Sequence, residues 1–185
     1  MERKRDMNDS ETRARATWRQ ACQDLGGDVT ALEFGDTVSA VAIGGQSEAA
    51  RVIRLPLGLD TLARKYFLAA KPGESVIEAA IAEVEELIMP LRPLVPVGSR
   101  CVTRDHRVAL IARALGLPPE AWIALTTNAV EDVFNRWAAI ALGRPASQDT
   151  LPTTPEFAAS LLVLREWLHH FSFTNIRATL IDAGN

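Results

Sequence analysis

Cysteine is scarce in this 185-residue chain: Cys22 and Cys101 stand far apart, with no Cys-x-x-Cys spacing. That excludes a cysteine-rich zinc module and a disulfide-stapled scaffold, and it fits two free, buried thiols in a reducing cytoplasm. Long apolar runs are missing as well. None approaches the ~18 consecutive apolar residues of a spanning helix, so no membrane partner is expected. The first residues, MERKRDMNDSE, are charged and lack the apolar segment of a secretory signal, so a cytoplasmic location is expected. Nor is there an excess of one charge. Twenty Lys and Arg against 23 Asp and Glu leave a net −3, without the basic surplus that draws a protein to nucleic acid. Gly-x-Gly-x-x-Gly, Walker A, His-Glu-x-x-His and Gly-x-Ser-x-Gly are all absent. No repeat of fixed period and no low-complexity tract occurs.

What is present is an ordinary soluble composition, 48% hydrophobic and 23% charged, in a chain long enough for one domain with a real core. Its organising stretch is Gly27–Gly58. Three β-type runs, Val29–Phe34, Val38–Ile43 and Arg51–Leu55, are separated by Gly35-Asp36 and by Gly44-Gly45-Gln46-Ser47. Glycine accepts positive φ, so this pattern predicts an antiparallel meander.

Before it, residues 1–9 are polar enough to fray, and Ser10 is placed to cap a helix running to Leu25. Ala14, Trp18, Ala21, Cys22 and Leu25 share one face of that helix, and Gly26-Gly27 end it. After the meander the pattern predicts a helix over Asp60–Leu68. A second covers Glu74–Met89, with Ile77, Ile81, Val84 and Ile88 on its inner side. The proline-spaced Leu91–Gly98 reads as a buried strand at a sheet margin. Thr103–Leu115 reads as a helix, and Trp122–Leu125 as either a strand or a helical turn. Asn128-x-x-Glu131 resembles a capping box for a helix ending near Gly143. Thr154-Pro155-Glu156 is a strong start for another, with cap, proline and acid in order. Asn175–Ile181 closes the chain as a strand. A single late strand cannot satisfy its own backbone donors, so early and late strands must share one sheet. The expected class is α/β, with a mixed sheet covered by helices.

Candidate chemistry is sparse. His169 and His170 are adjacent, and adjacent helical side chains point about 100° apart, which suits a helix C-terminus better than chelation. Cys101, Asp105 and His106 contain the groups of a nucleophilic triad, but such partners meet in space rather than along the chain. Arg100, Arg104, Arg107 and Arg113 could hold a phosphate near a helix start, or form its solvated face. The four tryptophans, with no basic cluster between them, read as core.

The order of short motifs, GDVTALEFGDTVSAVAIGG, RVIRLPLG, ARALGLPP, PEFAASLLVLREWL and ATLIDAGN, resembles the second domain of the exopolyphosphatase / guanosine pentaphosphate phosphatase (Ppx/GppA) family. The likeness covers residues 27–185, with residues 1–26 as an added tail and helix. It implies a single ribonuclease H-like domain of the actin-like ATPase superfamily. In that family an Asp-x-Gly-Gly-Gly-Ser turn cradles phosphate with backbone N–H groups. Here Glu33-Phe34-Gly35-Asp36-Thr37-Val38 stands in its place, and Gly98-Ser99-Arg100 stands at the second glycine turn. Gly35, Asp36, Thr37, Gly98, Ser99 and Arg100 are therefore the candidate vestigial phosphate or nucleotide contacts. Asp36 carries the wrong charge: two unit charges ~4 Å apart repel by roughly 1 to 4 kcal/mol. A Mg²⁺ ion held by Glu33 and Asp36 would reverse that sign. No catalytic residue is identified, and the family's first domain is not recognised in the chain. The expectation is a non-catalytic homologue that self-associates or binds a protein through the face that meets the first domain, which should be partly apolar. Two alternatives follow from the same resemblance: nucleotide or polyphosphate binding without turnover, and a phosphoanhydride hydrolase half needing a separate first-domain chain.

Overall fold

A computed structural model describes residues 2–45, 50–69, 71–118 and 120–179, with side chains from Asp9 onward. Six strands form one mixed sheet in the order β3-β2-β1-β4-β6-β5. The meander is β1 (Val29–Glu33), β2 (Ser39–Gly44) and β3 (Arg51–Leu55), antiparallel throughout, with Glu33 opposite Ala40 and Ser39 opposite Leu55. β4 (Arg100–Thr103) then runs parallel to β1, and β6 (Asn175–Ala178) parallel to β4. β5 (Ile123–Thr126) closes the far edge antiparallel to β6.

Alternation along β1 and β2 sends small residues to one face and large ones to the other. The small face carries Val29, Ala31, Ala40, Ala42 and Val102. Against it lies α1 (Glu2–Leu25), through Ala14, Trp18, Ala21 and Cys22. Alanine on both sides lets helix and sheet approach closely, and the Trp18 indole N–H donates to Gly44 O at 3.0 Å. The large face, Leu32, Phe34, Val41, Ile43 and Leu55, is covered by the remaining helices: α2 (Leu59–Tyr66), α3 (Glu74–Ile88), α4 (His106–Ala114), α5 (Thr127–Ala141) and α6 (Pro155–His170). α6 is buried on nearly every side, because helices surround it and the sheet lies beneath. Its Trp167 is fully buried and stacks on Phe171 at 4.0 Å between ring centres.

The meander and the Thr154 cap are as expected, the Thr154 hydroxyl accepting from Phe157 N. Several boundaries differ. α1 reaches back to Glu2, so Ser10 is a buried helical residue and not a cap. Leu91–Gly98 is not a strand. Met89–Leu94 winds as a 3₁₀ helix, since Pro90, Pro93 and Pro96 have no N–H to give a ladder, and pairing starts only at Arg100. Thr103 ends β4 rather than starting a helix, and Asp105 caps α4 by accepting from Arg107 N at 2.9 Å. Trp122–Leu125 resolves toward strand, as β5. α5 is capped by Thr126, two residues before the expected Asn128. Asp182, Ala183, Gly184 and the end of the last expected strand lie outside the described residues.

The turn between β1 and β2 rests directly on the chain entering α2. Leu59 N donates to Gly35 O at 3.0 Å and Asp60 N to Asp36 O at 3.1 Å. A Cβ on Gly58 would stand 2.4 Å from both Asp36 O and Thr37 Cα, so only glycine fits there. Both obstacles are backbone, and neither can rotate away. Gly58→Ala is expected to destabilise the domain by about 2 to 3 kcal/mol in urea unfolding, the range of an overpacked core. An unchanged midpoint would show that the turn is not held against α2.

Candidate functional site

Parallel pairing of β1 and β4 brings their C-terminal ends to the same end of the sheet. The two turns that follow, 34–38 and 104–106, face each other across a cleft of about 300 Å³. The turns are braced reciprocally. Phe34 N donates to Asp105 Oδ2 at 3.1 Å, and Arg104 N donates to Glu33 Oε1 at 2.9 Å. Each turn thus gives a backbone donor to a carboxylate of the other.

Asp105 is buried and accepts more than its cap bond. The Arg107 guanidinium approaches Asp105 Oδ2 at 3.3 Å and also pairs with Asp36 at the cleft mouth. One carboxylate therefore receives two backbone N–H groups and a guanidinium, a donor set of the kind that binds an external anion. Arg13, from α1, pairs with Asp9 at 2.6 Å and donates to Phe34 O at 3.0 Å. Gly35 N is taken by Ser39 Oγ at 3.3 Å, and that hydroxyl donates to Leu57 O at 2.7 Å. The amides of Phe34 and Gly35 are thus engaged from within the chain.

Glu33 sits on the α1 face, where Thr17 Oγ1 donates to Glu33 Oε1 at 2.7 Å. It is 1% exposed. Burial pushes its carboxyl up to about 7, against the opposing pull of the Thr17 and Arg104 donors; Asp105 raises it further, and Arg13 lowers it. Both donors reach the same oxygen, which leaves Oε2 to carry a proton.

The candidate residues divide between the two ends of the sheet. Gly35, Asp36 and Thr37 line or flank the cleft. Gly98 and Ser99 precede β4 and Arg100 begins it, at the opposite end, so the two sets do not converge on one phosphate. No helix starts at the second set, since α4 begins beyond β4. Ser99 Oγ is buried against Thr30 Oγ1 at 2.8 Å, Gly98 has φ +80°, and the Arg100 guanidinium donates to Gly26 O. They border a larger cleft of about 570 Å³ with Arg92, Arg177, Phe171 and Phe173. The turn after β4 that does face the first turn is Arg104-Asp105-His106. A capping aspartate two residues before Arg107 N was the available signal for it. Glu33 and Asp36 both border the cleft but take different partners, Thr17 with Arg104 for one and Arg107 for the other. Cys101 is buried within β4. Burial pushes its thiol up to about 12 despite the Trp167 indole beside it, while His106 is exposed, so no triad exists. This end of the sheet presents Asp9, Asp36, Arg104, His106 and Arg107.

No protein-family model and no curated protein matches the chain. Solved structures do. The Aquifex aeolicus Ppx/GppA phosphatase superposes with a TM-score of 0.74 at 16% identity, over 91% of this chain and 59% of its own. An exopolyphosphatase from Cytophaga hutchinsonii gives 0.67 at 12% identity, over 91% and 59%. An exopolyphosphatase-like protein gives 0.68 at 16%, over 92% and 61%. The chain therefore has the ribonuclease H-like, actin-like ATPase fold of these proteins and spans about three-fifths of their length. No helix among the described residues is long and apolar enough to cross a membrane.

Glu33 makes stability depend on pH. Its carboxyl is raised from 4.5 to about 7, so the folded chain keeps a proton that the unfolded chain releases. Stability contributed at low pH is lost as pH rises through that window, by up to roughly 3 kcal/mol, and the loss is complete above it. Glu33→Gln is expected to flatten this slope, becoming more stable than wild type at pH 8 and gaining nothing at pH 4.5. Urea unfolding of both proteins across the range checks this, and parallel profiles would contradict it.

Proposed function

We propose that this domain keeps the scaffold of a Ppx/GppA second domain but not its phosphate chemistry, and that it works by association, with a second copy or with a protein partner. The observation that carries the reading is the Asp105 carboxylate, which takes the donors of Phe34 N, Arg107 N and the Arg107 guanidinium. A phosphate oxygen entering there would have to displace a buried, hydrogen-bonded anion. It would also meet the Asp36 carboxylate at the cleft mouth. Like charges repel more strongly at the buried Asp105 than at the surface. The ring of Asp36, Arg104, His106 and Arg107, exposed at Asp36 and His106 and half-buried at the two arginines, has both signs of charge, which favours a polar protein surface of complementary pattern. Two measurements test the halves of this reading. Phosphate release from polyphosphate or guanosine pentaphosphate with Mg²⁺ is expected to stay at background, and turnover would overturn the non-catalytic assignment. Sedimentation velocity at high micromolar concentration is expected to show species heavier than one chain or a co-purifying partner. A strict monomer without one would overturn association.

A second reading, anion binding without turnover, is favoured by the opposite cleft. Arg92, Arg100 and Arg177 line it, no carboxylate does among the described residues, and Phe171 and Phe173 offer ring faces. Its volume of about 570 Å³ lies within the range of small-molecule sites. Calorimetry with nucleotides and polyphosphate, with Mg²⁺ present, is expected to give heat that Arg177→Ala removes. Flat titrations of the wild type would end this reading.

A further inference from the structure

Glu166 and His170 are four residues apart on α6, so their side chains share one face of the helix. α3 lays Glu85 against them. His170 Nε2 lies 2.8 Å from Glu85 Oε1 and 3.4 Å from Glu166 Oε2, and the three ligand atoms all fall within 4.8 Å of one another. A single ring nitrogen has one position for a proton or a metal. It makes a hydrogen bond to Glu85 but is too far from Glu166 for a good one. The Glu166 side chain is only 2% exposed, and its other oxygen is held by Arg165 at 2.5 Å. Arg165 is shared with Glu131 at 2.8 Å. The cluster thus holds three carboxylates, Glu85, Glu131 and Glu166, to one guanidinium, Arg165, which leaves two negative charges when the imidazole is neutral.

We propose that Glu85, Glu166 and His170 form a divalent transition-metal site joining α3 to α6. One imidazole and two carboxylates suit zinc and its first-row neighbours and are a poor set for calcium, which prefers oxygen ligands alone. At the usual zinc bond lengths, neighbouring tetrahedral ligands stand roughly 3.3 Å apart. The Glu166–His170 separation already meets this, and Glu85 needs to withdraw by about half an ångström on its exposed side. A dication cancels the two excess charges. Arg165 then acts behind the site, fixing Glu166 through the oxygen that the metal does not use. Glu85 and His170 are 41% and 21% exposed, which opens the site to solvent for metal entry and leaves room for a water ligand. The site belongs to the helical layer and is independent of both clefts at the sheet ends.

The test uses the full chain with zinc and with cobalt as a spectroscopic probe. Wild type is expected to bind one equivalent with micromolar or tighter affinity. Co²⁺ is expected to give visible bands of a low-coordinate site, and zinc to raise the unfolding midpoint. His170→Gln and Glu85→Gln should each weaken binding at least 10-fold and abolish the zinc-dependent rise, with folding verified by circular dichroism. His169→Gln, at the adjacent position, should leave binding unchanged. No binding by wild type would overturn the site and leave an ion pair between His170 and its two glutamates. Binding of equal strength in the His170 and Glu85 variants would overturn it as well, by placing the metal elsewhere.

Discussion

The reciprocal pair of hydrogen bonds between the ends of β1 and β4 is the constraint on which the rest of the site depends. Phe34 N reaches the Asp105 carboxylate and Arg104 N reaches the Glu33 carboxyl group, so neither turn can move without leaving a buried hydrogen-bonding group of the other unsatisfied. Breaking either bond leaves a buried polar group without its partner, which costs about 1 to 3 kcal/mol. The same two acids also fasten the surrounding helices. Asp105 caps α4, and Glu33 receives the Thr17 hydroxyl of α1. Four elements therefore meet at two carboxylates. This end of the sheet is closed by the chain's own carboxyl groups.

That closure is compatible with the division of labour between the faces. Alanines at 31, 40 and 42 bring α1 close enough for Thr17 to reach Glu33, whereas a face of leucine and valine would hold the helix further away. The opposite face uses large residues to support five helices, with α6 as the buried centre. The asymmetry thus places a polar contact from α1 directly behind the cleft. The large core, meanwhile, needs no polar contribution there.

Much of this was legible in the sequence where a short-range signal decides structure. The meander was readable from its glycines and alternation, and the α6 start from Thr154-Pro155-Glu156, because turn and cap chemistry acts within a few residues. The proline-rich segment before β4 misled because apolar content was weighed above the missing N–H groups of Pro90, Pro93 and Pro96. That reading places the candidate second turn at Gly98–Arg100, which the structure puts at the opposite end of the sheet from Gly35. The pairing of Asp105 with Phe34 spans 71 residues and has no local signature beyond an aspartate at a helix start. The Glu85, Glu166 and His170 cluster was half visible as an i, i+4 pair on α6; its third member depends on how α3 packs.

The central claim is that Asp105 occupies the place of an external anion. The most direct measurement is a ¹H–¹⁵N correlation spectrum of the full chain titrated with pyrophosphate and Mg²⁺. The amides of Phe34, Gly35 and Arg107 are expected to stay in place throughout, whatever happens at the arginine-lined cleft at the other end of the sheet. Saturable shifts of those three amides would contradict the account, since they would mean that phosphate displaces the carboxylate.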